Sequence, residues 1–198
     1  MGTIRLEKNN AINLRKGSGN YGEVAINLNW TRKKPTGLAK FFGGGGGVDL
    51  DLGCLYELQN GEKGAVQALG NAFGSLQRAP FIALDGDDRS GDSSGGEWLR
   101  INGVEWSQIK RVLIYAFIYE GTPDWAGTDA VVTLHSPNSE NVEVRLGTDA
   151  SSKKFCAIAT IENDNGEMKI TRQAHYCNDH QEADRRFGWG MSWVAGSK

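Results

Sequence analysis

The stretch Glu23-Val24-Ala25-Ile26-Asn27-Leu28-Asn29-Trp30 decides the fold class, because a large apolar residue occupies every second position. In an extended chain, Val24, Ile26, Leu28 and Trp30 would lie on one face and the other four residues on the opposite face. Alternation of this kind predicts a half-buried β-strand. Similar short stretches, bounded by Gly, Pro, Asn or Ser, recur along the chain, so we expect an all-β protein.

Two dipeptides, Asn60-Gly61 and Asn165-Gly166, each stand between two strand patterns. Asn-Gly favours the tight turns of β-hairpins because both residues tolerate positive φ angles. Further strands are predicted at residues 11–16, 79–84, 98–102, 110–119, 129–136 and 142–146. Short strands at this spacing predict a β-sandwich of antiparallel strands. Short peripheral helices are expected at 107–110 and 178–186, the second with Asn178 as its N-cap.

Length and composition restrict the possible classes of protein. The 198 residues predict a single domain spanning 1–198. The net charge of −2 gives no basic field that would attract nucleic acid. The sequence has neither a signal-peptide pattern nor an apolar run of the ~20 residues that a membrane span needs, so we expect no direct membrane insertion. Three widely spaced cysteines predict no disulfide framework, which favours the reducing cytoplasm.

The first acidic motif is Val48-Asp49-Leu50-Asp51-Leu52. Read as a strand, it places both carboxylates on one face, about 6–7 Å apart. Like charges at that distance repel each other unless a cation or other donors compensate them. This motif is therefore a candidate half of a cation site.

The second acidic motif runs from Asp85 to Glu97 and combines five carboxylates, three serines and four glycines. Such a composition favours a loop whose oxygen atoms can surround a hard cation, and calcium is the candidate. An EF-hand is excluded because Arg89, Ser90 and Gly96 stand where that loop needs a ligand, a glycine and a glutamate. The alternative is an ordinary solvated turn, since Asp, Gly and Ser are common turn residues.

Several segments resemble the TerD-type tellurium-resistance family of calcium-binding stress proteins. The resemblance rests on Gly47–Gly53, on Gly86–Asp92 and on Glu97, while the stretch 109–121 is similar to the strand that follows the family's loop. The longer match is similar to the TerA branch and includes Phe41-Phe42, 56–58, 66–70 and the tail 185–193. Most of residues 10–198 take part.

This resemblance implies a β-sandwich that binds two calcium ions and belongs to bacterial operons for resistance to tellurite, other chemical stress and phage. Here, Thr31 follows Trp30 where the family commonly has Gly-Trp-Asp, and the loop closes with few acidic residues, so the number of ions, one or two, stays open. The side-chain ligands implied by the match are Asp49, Asp51, Asp87, Asp88, Asp92 and Glu97, with Asp85, Ser90 and Ser94 as further contributors.

Other metal-binding and catalytic patterns are weaker. His175, Cys177, Asp179 and His180 contain zinc-ligand types, but a strand end leading into a capped helix explains the same residues. His135 is interpreted as a hydrogen-bonded structural residue. The tail around Phe187 and Trp189 is interpreted as an aromatic segment that seals the core.

The function expected from these observations is a non-enzymatic, calcium-binding interaction module. Its partners would be proteins of a stress-resistance assembly, with membrane association left open. The alternative is a calcium-dependent carbohydrate-binding module, for which exposed Trp98, Trp125 or Trp189 would contact sugars. A metal-dependent hydrolase is a third possibility, but no His or Lys in the acidic loop could serve as its acid or base.

Overall fold

The computed structural model describes residues 2–31, 48–85, 95–147 and 152–194. Thirteen strands are present within these ranges. They are β1 (Thr3–Arg5), β2 (Ala11–Asn13), β3 (Glu23–Asn29), β4 (Asp49–Leu58), β5 (Lys63–Val66), β6 (Gly74–Ser75), β7 (Ile82–Leu84), β8 (Glu97–Asn102), β9 (Ile109–Glu120), β10 (Val131–His135), β11 (Asn141–Arg145), β12 (Phe155–Asp164) and β13 (Glu167–Cys177).

The strands form two sheets. The first sheet has the order β1-β11-β10-β3-β8-β7-β6, and the second has the order β2-β13-β12-β9-β4-β5. Their facing sides share one apolar core, so the predicted β-sandwich is confirmed. All strand pairs are antiparallel except the β1–β11 pair, which is parallel and was not predicted.

Alternation along the strands places the core residues as the sequence predicts. Val24, Ile26 and Leu28 of β3 are each 0% exposed and lie between the sheets. Leu50 and Leu52 of β4 contribute to the same core from the second sheet. Burying apolar side chains from both sheets against each other supplies the main driving force for this architecture.

Both predicted hairpins are present. Asn60-Gly61 joins β4 to β5, and Asn165-Gly166 joins β12 to β13. In the second turn, Asn165 has a φ of 54° and Gly166 a φ of 90°, which are the positive values that such turns require.

The two predicted helical segments need correction. Residues 103–108 form a short 3₁₀ helix, whereas Ile109 and Lys110 already belong to β9. The other segment is an α-helix, α1 (His180–Phe187), and its N-cap is Asp179 instead of Asn178. Asp179 is favoured because its carboxylate accepts a hydrogen bond from the Glu182 N–H at 2.8 Å, while Glu182 itself bonds back to the Asn178 N–H. No helix among the described ranges has the length and hydropathy of a membrane span.

Helix α1 and the segment after it cover the outer face of the second sheet. A second apolar cluster forms there around Leu55, Tyr115, Phe155 and Trp189. Trp189 is 1% exposed and donates its Nε1–H to the Tyr56 carbonyl oxygen at 3.1 Å. The interpretation of the tail as a core-sealing segment is therefore confirmed.

Candidate functional site

The first acidic motif lies at the start of β4. Asp49 and Asp51 are 8% and 1% exposed, so they do not form the solvated face of an ordinary strand. Because Leu50 and Leu52 point into the core, the two carboxylates occupy the opposite, outer side of the second sheet. The predicted division of this strand into acidic and apolar faces is thus confirmed.

Asp51 lies close to the aromatic cluster on that outer side. Asp51 pairs with Phe117 of β9. Two residues further along β4, Gly53 lies on the same face of the sheet and pairs with Tyr115. Glycine is needed there because a Cβ atom would lie 2.7 Å from the Tyr115 ring. Burial raises the pKa of the Tyr115 hydroxyl well above its usual value, and the nearby Cys54 and Asp51 groups raise it further.

Glu97 brings the second acidic motif to the first. It is the first residue of β8 in the other sheet, yet its Oε2 atom accepts a hydrogen bond from the Leu52 N–H at 2.6 Å. This part of β4 lies beyond the residues that pair with β5, so the Glu97 carboxylate binds the free edge of the strand. With 4% exposure, Glu97 is buried at the junction of the two sheets.

Two side chains of the β3 region hold the main chain next to both motifs. Asn27 donates its Nδ2–H groups to the carbonyl oxygens of Gly95 and Glu97 at 2.6 and 3.3 Å. Trp30 donates its Nε1–H to the carbonyl oxygen of Val48 at 3.1 Å. Asn27 of β3 and Trp30, the residue after this strand, therefore position the main chain just before Glu97 and just before Asp49. The sequence did not predict this role. Asn27 alternates with apolar residues, as any outward-facing polar residue of a strand does.

Asp85 differs from the three buried carboxylates. Its Oδ2 atom accepts a hydrogen bond from Arg100 Nε at 2.6 Å, and Glu23 accepts one from Arg100 Nη1 at 2.7 Å. These two hydrogen bonds, with Asp85 the stronger cause, raise the pKa of the Arg100 guanidinium. The ion pair fixes the start of the acidic loop to β8.

The remaining predicted ligands lie outside the described residues; they are Asp87, Asp88, Ser90, Asp92 and Ser94. Within residues 2–31, 48–85, 95–147 and 152–194, no group of three or more His, Cys, Asp or Glu side chains could hold a metal ion. A complete cage would thus need donors from residues 86–94 in addition to Asp49, Asp51 and Glu97. The donor chemistry fits calcium, because all these ligands offer oxygen atoms only.

The zinc pattern does not form a site. Asp179 caps α1, and the His180 ring packs among Tyr115, Phe117, Phe155 and Trp193 with centroid distances between 4.9 and 5.3 Å. The Cys177 thiol is buried, which raises its pKa to about 11. Zinc requires deprotonated thiolate and an accessible imidazole nitrogen, so this hypothesis is wrong.

The tryptophans proposed for sugar contacts are placed differently from the expectation. Trp125 and Trp189 are each 1% exposed, so the expectation that they could stack on a ligand is wrong. Trp98 lies half-buried on the outer face of the first sheet, and its ring centroid is 5.5 Å from Arg100 Cζ and 5.6 Å from the centroid of the His135 ring. His135 also contacts Asn141 through Nδ1 at 3.1 Å, which confirms its interpretation as a hydrogen-bonded structural residue.

Comparison with known proteins identifies a relative that matches nearly the whole of this chain. Tellurium resistance protein TerA from Alcaligenes sp. is 49% identical to this chain over 190 residues, which are 95% of this chain and 56% of that protein. The chain therefore spans little more than half the length of this relative. No family model matches the chain.

Proposed function

We propose that this chain, which belongs to the tellurium-resistance family and to its TerA branch, is a calcium-binding and non-enzymatic interaction module of a cytoplasmic stress response. The observation that carries the proposal is the hydrogen bond from the Leu52 N–H to Glu97 Oε2 at 2.6 Å, because it joins the two acidic motifs. The proposal also includes a role in tellurium resistance, because the relative is named a tellurium resistance protein.

Calcium suits the site on charge and on geometry. Asp49, Asp51 and Glu97 are buried carboxylates, and Glu97, at the end of the second acidic motif, contacts the first motif through the Leu52 N–H. Buried carboxylates that are completed by oxygen donors from residues 86–94 would favour a divalent cation, because charge interactions are strong in a region of low dielectric. Calcium tolerates irregular coordination by six to eight oxygen atoms, which an Asp-, Ser- and Gly-rich loop can supply.

Two features favour a binding module over a hydrolase. Asp49, Asp51 and Glu97 have at most 8% exposure, which leaves little room for a substrate beside them, and the more exposed Asp85 is paired with Arg100. The acidic loop contains neither His nor Lys to act as an acid or base near neutral pH. The carbohydrate-binding alternative is less favoured, since the Trp98 ring is half-buried and contacts both Arg100 and His135.

The partners in this proposal are other proteins of the stress-resistance assembly, and the proposal includes neither a nucleic-acid partner nor direct membrane insertion. In this proposal, calcium held by the two acidic motifs creates a surface that a partner can recognise. Membrane association would then come through a partner.

Titration calorimetry on metal-free protein tests the calcium site. Asp51→Asn and Asp87→Asn should each weaken calcium binding about tenfold or more, because each removes a ligand charge. Glu62→Gln is the matched control, since Glu62 lies after the Asn60-Gly61 turn and outside both motifs. Equal affinities in all three variants would show that the site is elsewhere. Phosphoester, peptide or glycoside hydrolysis that Asp87→Asn abolishes would overturn the non-enzymatic assignment.

A further inference from the structure

The outer face of the first sheet carries a row of outward-pointing side chains from neighbouring strands. Strand register aligns this row from β1 to the residue after β7, in the order Arg5, Glu143, Thr133, Asn27, Trp98 and Asp85. Helix α1 and the tail cover the second sheet, whereas no described helix covers this face of the first sheet. We call these six residues, of which Arg5, Glu143 and Asp85 are charged, the charged row.

One end of the charged row is positive. Arg5 and Arg145 both donate to Glu143 Oε1, at 3.3 and 2.9 Å. Two guanidinium groups and one carboxylate leave a net charge of +1. Both arginine side chains are at least half exposed, at 58% and 50%, so this charge is available at the surface.

The other end of the row is negative. Asp85 and Glu23 share the single guanidinium group of Arg100. Two carboxylates and one cation leave a net charge of −1. The Asp85 and Glu23 side chains are 36% and 48% exposed. The face is thus positive at β1 and β11 and negative across β3, β8 and the residue after β7.

Such a face is complementary to itself. A second copy that is related by a twofold axis parallel to the strands presents the charged row in reverse order, because a twofold contact pairs residue i with j and j with i. Arg5 of each copy then faces Asp85 of the other. We propose that this chain forms a face-to-face homodimer through the charged row, with these two Arg5–Asp85 contacts setting its orientation.

The size of the face predicts a weak dimer. Seven strands at about 4.8 Å spacing, each about five residues long, give a planar face of roughly 29 by 17 Å. This corresponds to about 500 Å² per partner, which is at the low end for specific interfaces. We therefore expect micromolar association that weakens as salt rises, since exposed charges orient the two copies.

A charge-swap experiment tests the orientation by sedimentation velocity. In Arg5→Glu protein and in Asp85→Lys protein, each homodimer brings like charges together twice, so the dissociation constant should rise about tenfold. An equimolar mixture of the two variants restores attraction at both contacts and should dimerise like wild type. Glu23→Lys reverses the same negative end and replaces Asp85→Lys if that variant does not fold.

Arg15→Glu is the matched control, because it makes the same charge change after β2 in the second sheet. All samples are run in chelator and again in calcium, with calcium affinity measured separately for each variant. Arg5→Glu leaves the acidic motifs intact, so loss of its dimer with unchanged calcium binding separates this proposal from the calcium proposal. A wild-type protein that stays monomeric across the micromolar range, or a variant mixture that stays monomeric while wild type dimerises, overturns the proposal.

Discussion

Glu97 and Leu52 are joined by a hydrogen bond of 2.6 Å between the Glu97 carboxylate and the Leu52 N–H, although the two residues lie in different sheets. Both residues are buried, with 4% and 0% exposure. A hydrogen bond to a charged group in such surroundings stabilises a fold more than one between neutral groups. Glu97 therefore contributes to the closure of the sandwich and is also a proposed calcium ligand.

Glu97→Ala should lower the free energy of unfolding by about 2 kcal/mol even in chelator, because the Leu52 N–H loses its buried acceptor. Urea unfolding with EDTA present measures this effect without any contribution from calcium. Glu62→Ala removes an exposed carboxylate and should change stability by less than about 0.5 kcal/mol. Equal unfolding midpoints for Glu97→Ala and wild type would show that the bond contributes nothing to stability.

Calcium should stabilise the protein against heat, because bound cation relieves the repulsion among the clustered carboxylates. At a calcium concentration about a hundredfold above Kd, one site adds about 2.7 kcal/mol to the free energy of unfolding. For a chain of this size, the melting temperature should rise by roughly 5–10 °C. Magnesium should have a smaller effect because it requires compact octahedral coordination. Identical melting curves in EDTA and in millimolar calcium would contradict the calcium site.

The sequence predicts the parts of this fold that depend on local patterns. Alternation along β3 and β4 determines which side chains face the core, because successive residues in a strand point to opposite sides. The Asn165-Gly166 turn is likewise local, since two residues with positive φ are enough to form it. The facing of Asp49 and Asp51 away from the core follows from the same rule.

Features that depend on register between distant strands could not be predicted. Asp85 has the same side chain as the other aspartates of its loop, yet it binds Arg100 because β7 pairs with β8. Asn27 and Asn29 are both outward-facing, but only the position of Asn27 brings its amide to the Gly95 carbonyl. No residue pattern distinguishes these cases, because the partners are main-chain atoms or side chains far along the sequence.

Asp184→Ala should release the tail that covers the second sheet. The buried Asp184 carboxylate accepts hydrogen bonds from the N–H groups of Gly190 and Met191 and from Trp193 Nε1, at 2.8 to 2.9 Å. Their loss should lower the free energy of unfolding by about 3 kcal/mol. Hydrogen exchange at the amides of residues 190 and 191 should accelerate. The matched control Glu162→Ala, which removes an exposed carboxylate from β12, should leave that exchange unchanged, and slow exchange in Asp184→Ala would show that other contacts hold the tail.

The last prediction concerns acid stability and the His180 ring. Burial among four aromatic rings lowers the pKa of His180 to about 4, although the Asp179 charge acts in the opposite direction. The folded protein therefore binds the His180 proton less readily than the unfolded chain, whose His titrates near 6.5. The stabilising effect of the neutral ring is present above pH 6.5 and is lost as the pH falls from 6.5 to about 4, by up to roughly 3 kcal/mol.

His180→Phe should keep the ring packing and remove this titration. Unfolding by urea at pH 7 and at pH 4.5 gives the comparison, and the stability loss between the two pH values should be smaller in His180→Phe than in wild type by about 2 kcal/mol. Carboxylates that titrate in the same range are common to both proteins and cancel in this difference. His135→Phe is the control, because His135 lies on the outer face of the first sheet and contacts Asn141. An equal pH dependence in wild type and His180→Phe would show that His180 does not resist protonation in the folded state.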